Sequence, residues 1–390
     1  MMVNMASRTR WLTTQEAAAR LAIKPASLYA YVSRGVIGRH VGPDGRTSRF
    51  DAAEVEALAR RGRPRRASRD PVVEVVVHSA ITTVPTGPAQ RRGHRYRGRP
   101  APALADRATF ESVAAWLVEG TDVALEIPAA AGTHGPVPDL RALRRAVDAV
   151  EPPATAASVL AALVATVSPP GPVPTLVLRD GTRWAGTVAG RLAAGLGERR
   201  RPPAWVVEAT NATLVLLADH ELATSTLAAR VAASTRADDA ACVAAALATL
   251  SGPLHGTASA AVRVALADGD PLGRLVPLAG DGPLPGFGHP LYAGADPRAT
   301  ALLERVRAGA PGHPALAAAD RLVRLVQHDR GVPPNVDLGL ATLTAAAGFP
   351  PEAGAVLFAV ARTAGWLAHV AEERRARPLR YRARAVPVTG

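Results

Sequence analysis

The sequence of 390 residues is poor in cysteine, lysine and aromatic residues, with one cysteine, Cys242, and one lysine, Lys24. A single cysteine excludes a disulfide framework and a cysteine-based zinc site, and it fits a reducing compartment. The longest weakly apolar run that we identify, Ala154 to Ser168, is shorter than a membrane span, and the first ten residues have no apolar signal core. We therefore expect a soluble, cytoplasmic protein without a membrane segment.

Several nucleotide and metal motifs are also missing. The sequence has no Gly-x-x-x-x-Gly-Lys loop, no Gly-x-Gly-x-x-Gly after a strand and no His-Glu-x-x-His. We therefore expect neither a metal nor a bound cofactor.

Positive charge is abundant, since the formal net charge is +13 and almost all basic residues are arginine. Such a bias fits a nucleic-acid partner, but it also fits a GC-rich genome, so only local clusters of charge are informative. Hydrophobic residues make up 48% of the chain and aromatic residues 4%. Together with abundant Ala, Leu and Arg, this composition favours helices with small residues at their contacts.

Residues 11 to about 60 form a pattern of their own. Thr13 or Thr14 can cap a first helix that runs to Leu21, and Pro25 can open a second short helix that ends near Ser33. A hairpin-like tip at Gly42–Arg46 precedes a helix predicted over Asp51–Arg60. This order resembles the winged helix-turn-helix of MerR and excisionase-type DNA-binding domains.

The arginines of this segment favour DNA binding, because they cluster on the predicted recognition helix and on the predicted wing. The alternative is a small helical module kept for protein contacts, with a solvated basic face. The candidate DNA-contacting residues are Lys24, Ser27, Tyr29, Tyr31, Arg34, Arg46 and Arg49.

Downstream of a basic linker and a strand predicted at Val72–Val77, helical periodicity dominates. Gly, Pro and Asp punctuate the helical runs, so the fold class is mainly α. The clearest predicted helices are Phe110–Val118, Leu140–Val150, Ala157–Val167, Trp184–Leu196 and Trp205–Ala218.

Three motifs place polar groups in turns. Gly252-Pro253-Leu254-His255-Gly256 and Gly286-Phe287-Gly288-His289 each carry a histidine beside glycines, which allow close approach of a ligand to the backbone. Pro334-Asn335-Val336-Asp337 places a carboxylate at the start of an apolar run. Further motifs are Asp296-Pro297-Arg298, Ala218-Asp219-His220-Glu221-Leu222, His94-Arg95-Tyr96-Arg97-Gly98 and Ala361-Arg362-Thr363-Ala364-Gly365-Trp366.

In this order the motifs resemble the hallmarks of the citrate synthase family, over about residues 76 to 384. The resemblance implies a citrate synthase fold, in which a large helical domain is closed by a small domain, here preceded by the winged helix-turn-helix domain. The predicted boundaries are 1–62 for the helix-turn-helix domain and 63–75 for the linker. Residues 76–255 and 351–390 would form the large domain, and residues 256–350 the small one.

The resemblance also implies a reaction: acetyl-CoA condenses with oxaloacetate, and the thioester is then hydrolysed to citrate and CoA. Asp337 resembles the family's base, and its position near a helix start should favour the charged form. His255 resembles the donor to the thioester oxygen, and as a residue before a helix N-terminus it should be neutral. His289 would polarise and protonate the oxaloacetate carbonyl.

Oxaloacetate is a dianion, which arginine binds with two parallel donors. By resemblance, Arg298, Arg362 and the histidine His220 bind it within one subunit. Arg377, in Ala376-Arg377-Pro378, resembles the arginine that reaches the site of the neighbouring subunit, so a homodimer is implied.

Each of these residues has a plainer interpretation. His220 could be a buried structural histidine, and Asp337 could be a helix cap. Arg362 could be a surface charge, and Arg377 part of a solvated basic tail.

Three positions depart from the family pattern: Thr257 and Ser259 follow His255, and Pro290 follows His289. They bear on rate, acyl-CoA preference and CoA affinity. Two rival functions remain open, a 2-methylcitrate synthase that uses propionyl-CoA, and a DNA-binding regulator whose citrate synthase-like part senses a ligand with little or no turnover.

Overall fold

The chain forms two compact units, Met1–Val77 and His78–Gly390, in the computed structural model. The structure describes residues 10–21, 25, 28–29, 32, 37–42, 47–60, 75–128, 138–169, 175–177, 181, 183–184, 186–197, 201–252, 255–279 and 282–383.

The first unit contains a three-stranded antiparallel sheet, in which Ser48–Asp51 lies between Trp11–Thr13 and His40–Val41. Its described helices are Thr14–Arg20 and Ala52–Arg60. The core is built from Leu12, Ala17, Leu21, Leu28, Ile37, Phe50 and Val55. Alternation along the strand Ser48–Asp51 turns Phe50 inward and leaves Arg49 exposed.

The first helix begins as the sequence predicts. Thr13 is the N-cap, and with Glu16 it forms a capping box, in which each side chain accepts from the other residue's backbone N–H. Residues 25, 28, 29 and 32 of the predicted second helix are helical. The remainder of that helix, and most of the predicted wing tip, lies outside the described residues.

The second unit is mainly helical, which confirms the predicted fold class. Short antiparallel strand pairings join Thr82–Thr83 to Arg95–Tyr96, Arg95–Tyr96 to Arg99–Pro100, and Leu176–Val177 to Arg183–Trp184. The described helices are Ala101–Arg107, Phe110–Val118, Leu140–Asp148, Ala156–Val167, Val188–Leu196, Ala204–Leu217, Thr224–Ser234, Asp239–Leu250, Ala258–Ala265, Pro271–Ala279, Pro297–Gly309, Pro314–Arg330, Val336–Ala346 and Ala353–Arg374, with a 3-10 helix at Gly87–Arg92.

The longest helix, Ala353–Arg374, is the centre of the main core. It is longer than the run at Ala154–Ser168 that the sequence singles out. Among the described helices it alone is long and apolar enough to cross a membrane, but 94% of its apolar window is buried in the fold. This helix is therefore a core helix.

A second hydrophobic cluster lies apart from the main core. It joins the helices Ala258–Ala265, Pro271–Ala279 and Pro314–Arg330 to one face of Val336–Ala346. Phe287 packs into this cluster, which places the glycine-flanked turn of His289 at its edge.

Two sequence predictions differ from the structure. The helix predicted from Trp184 begins at Val188, because Trp184 pairs in a strand with Leu176 and Thr187 caps the helix. The described part of the predicted strand at Val72–Val77 is not a strand. Val75 and Val76 are exposed and do not pair with another described strand, so a run of valines alone was insufficient.

Candidate active site

Backbone hydrogen bonds join the segment that carries His289 to the segment that carries Asp337. Asn335 N donates to Gly286 O at 2.9 Å, Gly288 N donates to Pro333 O at 2.8 Å, and Asp296 N donates to Pro334 O at 3.1 Å. Asn335 Nδ2 adds a bond to Gly288 O at 2.9 Å. These bonds hold His289 and Asp337 on two backbone segments that lie side by side.

The two glycines of this turn are needed for its shape. Gly286 and Gly288 have φ angles of 84° and 76°, in the left-handed region that favours glycine. A Cβ at Gly286 would also lie 2.9 Å from Val262 Cγ2. The Gly-x-Gly pattern in the sequence therefore reflects both backbone angle and close packing.

His289 is held as a neutral donor. Its Nδ1 accepts a hydrogen bond from Leu291 N at 3.1 Å, so the ring proton lies on Nε2. Burial, and after it the charge of the nearby Arg298, lower the pKa of His289 to about 4. At neutral pH, Nε2–H can donate to a carbonyl oxygen.

His220 lies against the ring of His289, with 5.0 Å between ring centroids and an interplanar angle of 82°. Its Nε2 is 2.9 Å from the hydroxyl oxygen of Tyr292. Burial lowers the pKa of His220 well below its usual value, and Arg298 contributes to the lowering. Burial raises the pKa of Tyr292, so this pair is neutral.

Asp337 lies in the first turn of the helix Val336–Ala346, but it is not the cap. Asn335 is the N-cap, and its Oδ1 accepts from Asp337 N at 3.0 Å. Among the described residues, the carboxylate of Asp337 has no hydrogen-bond or ion-pair partner. The carboxylate of Asp337 is thus available to accept a proton from a bound ligand.

The expected charge preference of Asp337 is wrong. We expected the helix start to favour the charged form, but burial raises the pKa of Asp337 to about 6, with Arg298 opposing the rise. Removal of the carboxylate from water outweighs its favourable position in the first turn. A pKa of about 6 makes Asp337 a stronger base than an exposed aspartate, and the group is still mostly ionised at pH 7.

His255 lies in a tight turn after the helix Asp239–Leu250. Gly256 N donates to Leu250 O at 3.1 Å, and a Cβ at Gly256 would come within 2.6 Å of that oxygen. His255 Nε2 is 2.9 Å from Ser225 Oγ. Burial and then Arg362 lower the pKa of His255, so it is neutral as expected, with burial as the principal cause.

The two predicted binding arginines differ in their partners. Arg298 is buried in a two-pronged ion pair with Asp296, in which Nε lies 3.0 Å from Oδ1 and Nη2 lies 2.8 Å from Oδ2. Asp296 Oδ2 also accepts from Val336 N at 3.2 Å. This carboxylate therefore holds Arg298 against the start of the Asp337 helix.

Arg362 is buried inside the central helix, and its Nε donates to Leu217 O at 2.9 Å. No carboxylate oxygen among the described residues lies within 4.0 Å of its guanidinium. Burial lowers the pKa of Arg362 to about 10, so the side chain is still a cation at neutral pH. Arg362 is near enough to lower the pKa values of His220, His255 and His289.

Arg377 lies apart from these groups in the chain. It is exposed in the turn that follows Ala353–Arg374, and none of its described contacts involves a candidate site residue. Its predicted role in a neighbouring subunit stays a prediction.

The role of Asp219, the residue before His220, was not predicted from the sequence. Asp219 Oδ2 accepts from Thr82 Oγ1 at 2.5 Å and lies 3.2 Å from His369 Nε2. Gly365 makes this approach possible, because a Cβ there would lie 2.4 Å from both Ala218 O and Asp219 Oδ1. The Ala-Asp-His-Glu match was the available signal for Asp219.

The roles of His94, whose ring lies beside that of His220, and of Tyr96, which contacts His94, were also not predicted from the sequence. His94 is fully buried, with its ring 5.2 Å from that of His220 and its Nε2 2.9 Å from Tyr96 Oη. Tyr96 Oη donates to Val215 O at 2.8 Å and accepts from Asp219 N at 3.2 Å. His94 and Tyr96 therefore pack against the segment that contains Asp219 and His220 and help to hold it in place.

In the first unit, two candidate DNA-contacting residues are described. Arg49 is exposed on the strand Ser48–Asp51, opposite His40. Tyr29 is 42% exposed, and its hydroxyl donates to Ser48 Oγ at 3.2 Å. The other candidates, Lys24, Ser27, Tyr31, Arg34 and Arg46, lie outside the described residues.

Comparisons with known proteins agree with this arrangement. The family model "Citrate synthase, C-terminal domain" matches residues 138–383, and the model "Helix-turn-helix domain" matches residues 11–63. The chain is 35% identical over 175 residues to "Citrate synthase 2" of Bacillus subtilis, covering 43% of this chain and 47% of that protein. It is 37% identical over 187 residues to "Citrate synthase" of Saccharolobus solfataricus, covering 44% of this chain and 49% of that protein. The chain thus spans about half the length of these curated relatives.

Solved structures extend the likeness. Citrate synthase from Thermotoga maritima MSB8 superposes with a TM-score of 0.64 and 25% identity, covering 81% of this chain and 94% of that one. The ternary complex of carboxymethyl coenzyme A and oxaloacetate with citrate synthase from Thermoplasma acidophilum gives a TM-score of 0.61 at 24% identity, with the same coverage, and shows the fold alone. Because the family model covers more than half of the chain, the protein belongs to the citrate synthase family, and it also carries a helix-turn-helix domain.

Proposed function

We propose that the chain condenses acetyl-CoA with oxaloacetate and water to give citrate and CoA, as an acyltransferase that converts the acyl group into an alkyl group. The observation that carries this proposal is Arg362, a buried cation without a carboxylate within 4.0 Å among the described residues. It lies near neutral His220, His255 and His289. A small dianion would supply the missing negative charge.

The first step is removal of a proton from the methyl group of acetyl-CoA. Asp337 accepts this proton, and its raised pKa strengthens it as a base. A neutral N–H of His255 donates a hydrogen bond to the thioester oxygen as the enol or enolate forms. Both actions are needed together, because the methyl proton is far less acidic than a protonated carboxylate.

In the second step, the methyl carbon forms a bond to the keto carbon of oxaloacetate. His289 donates its Nε2 proton to the keto oxygen, which becomes the hydroxyl group of citryl-CoA, and the proton that Asp337 took replaces the one that His289 gave before the next turnover. The Nδ1 bond from Leu291 holds His289 in the tautomer that this donation requires. Water then hydrolyses the thioester and releases citrate and CoA. The reaction uses the CoA thioester as a substrate and needs no separate cofactor.

His220, Arg298 and Arg362 would bind the carboxylates of oxaloacetate. Asp296 keeps two Arg298 donors in a defined plane and leaves Nη1 without a hydrogen bond among the described residues. We further propose a cytoplasmic homodimer in which Arg377 of one subunit reaches the site of the other. Its exposure beyond the central helix supports this role.

Propionyl-CoA is the alternative acyl donor, and it would give 2-methylcitrate with the same residues. One additional methylene group changes the binding energy by about 1–3 kcal/mol, so relative rates must decide between the two substrates. Ser259 is buried in the helix that follows His255, one of the departures from the family pattern.

The helix-turn-helix domain favours a second function, that of a DNA-binding regulator whose citrate synthase-like part senses a ligand. The match over residues 11–63 and the exposed Arg49 support DNA binding. Both functions could reside in one chain, since each unit has its own core.

The deciding experiment measures release of free CoA thiol by the purified full-length protein. Acetyl-CoA and propionyl-CoA are supplied separately, each with and without oxaloacetate. We expect release that depends on oxaloacetate and is faster with acetyl-CoA. A faster reaction with propionyl-CoA would select 2-methylcitrate synthesis. No release from folded protein with either thioester would overturn the enzyme proposal in favour of the regulator.

A further inference from the structure

The turn that carries His289 is anchored by backbone hydrogen bonds at its base, whereas its tip makes no backbone–backbone hydrogen bond to another described segment. Its base is bonded to Pro333, Pro334 and Asn335. From residue 290 to residue 295 the turn leaves this backbone pairing, and Pro290, Ala293, Gly294 and Ala295 are exposed. The position of the tip must therefore depend on contacts from elsewhere.

One such contact is the side-chain amide of Gln90. Gln90 Nε2 donates to Leu291 O at 2.6 Å, and Gln90 Oε1 accepts from Ala293 N at 3.4 Å. Only this orientation of the amide satisfies both a carbonyl and an N–H. Leu291 O and Ala293 N belong to the two peptide groups that flank Tyr292, so the amide holds the backbone of Tyr292 on both sides.

Gln90 is itself held by a short structure. It lies in the 3-10 helix Gly87–Arg92, which ends where Gly93 N donates to Gln90 O at 3.0 Å. Gly93 has a φ of 74°, and a Cβ there would lie 2.7 Å from Pro102 Cγ. Because this turn is closely packed, the backbone from which the Gln90 side chain extends is held in place.

Tyr292 connects Gln90 to the reacting groups. Its hydroxyl is 2.9 Å from His220 Nε2, and its ring centroid is 4.9 Å from that of His289. Leu291, whose carbonyl receives the stronger Gln90 bond, also supplies the N–H that fixes the His289 tautomer. A shift of this tip would therefore disturb both histidines at once.

We propose that Gln90 is a positioning residue for the condensation, because its amide holds Tyr292 and Leu291 where they orient His220 and His289. This proposal rests on the proposed function for its kinetic consequence. Its structural consequence, a fixed His289 tautomer in the ligand-free protein, does not depend on turnover.

The test compares Q90L with Q327L in the full-length protein. Leucine keeps the approximate size of the side chain and removes both hydrogen bonds, and Gln327 lies exposed on the helix Pro314–Arg330. We expect Q90L to lower kcat/KM for oxaloacetate about ten-fold, as loss of one to two net hydrogen bonds would. Q327L should match the wild type.

The second measurement uses ¹⁵N-labelled histidine and NMR of the ligand-free protein, with H289N identifying the His289 signals. In the wild type, His289 should carry its proton on Nε2 alone, whereas Q90L should show a mixture of the two tautomers. A merely structural role for Gln90 would lower the unfolding temperature and leave the tautomer unchanged. An unchanged tautomer in folded Q90L would overturn the proposal, even if the chain proves to have no turnover.

A double-mutant cycle with Y292F tests the route through Tyr292. If Gln90 acts by holding Tyr292, the losses of kcat/KM in Q90L and Y292F should not add in the double variant. Additive losses would show that Gln90 acts independently of the Tyr292 hydroxyl, and would contradict the part of the proposal that runs through Tyr292 and His220.

Discussion

The Nε2 atom of His369 lies 3.2 Å from Oδ2 of Asp219, and both side chains are fully buried. On the other side of the ring, Arg230 Nη1 lies 2.8 Å from His369 Nδ1. Because a guanidinium can only donate, Nδ1 accepts and the ring proton must lie on Nε2, facing Asp219. Arg230 thus fixes the tautomer of His369, and His369 directs its Nε2 proton at the carboxylate of Asp219, the residue before His220.

Replacing His369 by leucine should destabilise the protein. H369L removes a donor from a buried carboxylate and an acceptor from a buried guanidinium, so we expect a loss of about 2–4 kcal/mol in the free energy of unfolding. Urea denaturation measures this loss. The control, H328L, removes an 89% exposed histidine and should cost less than about 1 kcal/mol. Equal stability of the two variants would show that the buried network contributes little.

The raised pKa of Asp337 predicts an acid limb in the rate profile. The base is active only when ionised, so kcat/KM for acetyl-CoA should fall below about pH 6, rather than below about pH 4 as for an ordinary aspartate. D337N should lower kcat/KM by about 10²–10⁴-fold. D329N, at an exposed position, should leave the profile unchanged. Unchanged turnover in D337N would remove Asp337 as the base.

D337N, which should lower activity, should raise the stability of the folded protein. Because burial raises the pKa of Asp337, its favourable contribution to folding is present at low pH and is lost as the pH rises through about 6. D337N should therefore unfold at a higher temperature than the wild type at pH 8, with a smaller difference at pH 4. Scanning calorimetry at these two pH values measures the unfolding temperatures. A lower unfolding temperature for D337N than for the wild type at pH 8 would contradict the prediction.

Arg362 should determine affinity for oxaloacetate through its two-pronged geometry. R362K keeps a charge but cannot present the same pair of donors, so we expect kcat/KM for oxaloacetate to fall by about 10²-fold. R324K, on an exposed helix face, is the matched control. Steady-state kinetics with oxaloacetate varied measures both variants. Wild-type kinetics in R362K would mean that Arg362 does not bind the substrate.

Arg49 should contribute one phosphate contact if the first unit binds DNA. The affinity of the full-length protein for duplex DNA should then fall with salt, and R49A should reduce the slope of log affinity against log salt by about 1. R145A, in the second unit, should leave the slope as it is. Fluorescence anisotropy over a salt series measures this slope. Identical slopes for R49A and the wild type would exclude Arg49 from the contact.

Much of the organisation was available from the sequence, because it depends on local rules. The cap at Thr13 requires only a hydroxyl and Glu16 three residues later. The turn at Gly286 requires backbone freedom and small size, and the turn at Gly256 requires small size. The positions of His255, His289 and Asp337 in glycine- or proline-containing turns follow from such patterns and from the resemblance to the family.

The charge states of these residues, and the side chains that hold them in position, were decided only by the tertiary structure. The pKa of Asp337 is raised because its carboxyl group is buried in the folded chain, which no local sequence pattern reports. Gln90 meets Leu291 across 201 positions, and Asp219 meets His369 across 150 positions. The sequence by itself determined which groups the protein carries and in which turns they stand. Their partners, their protons and their exposure to water were decided by packing, because each depends on atoms that come close only when the chain is folded.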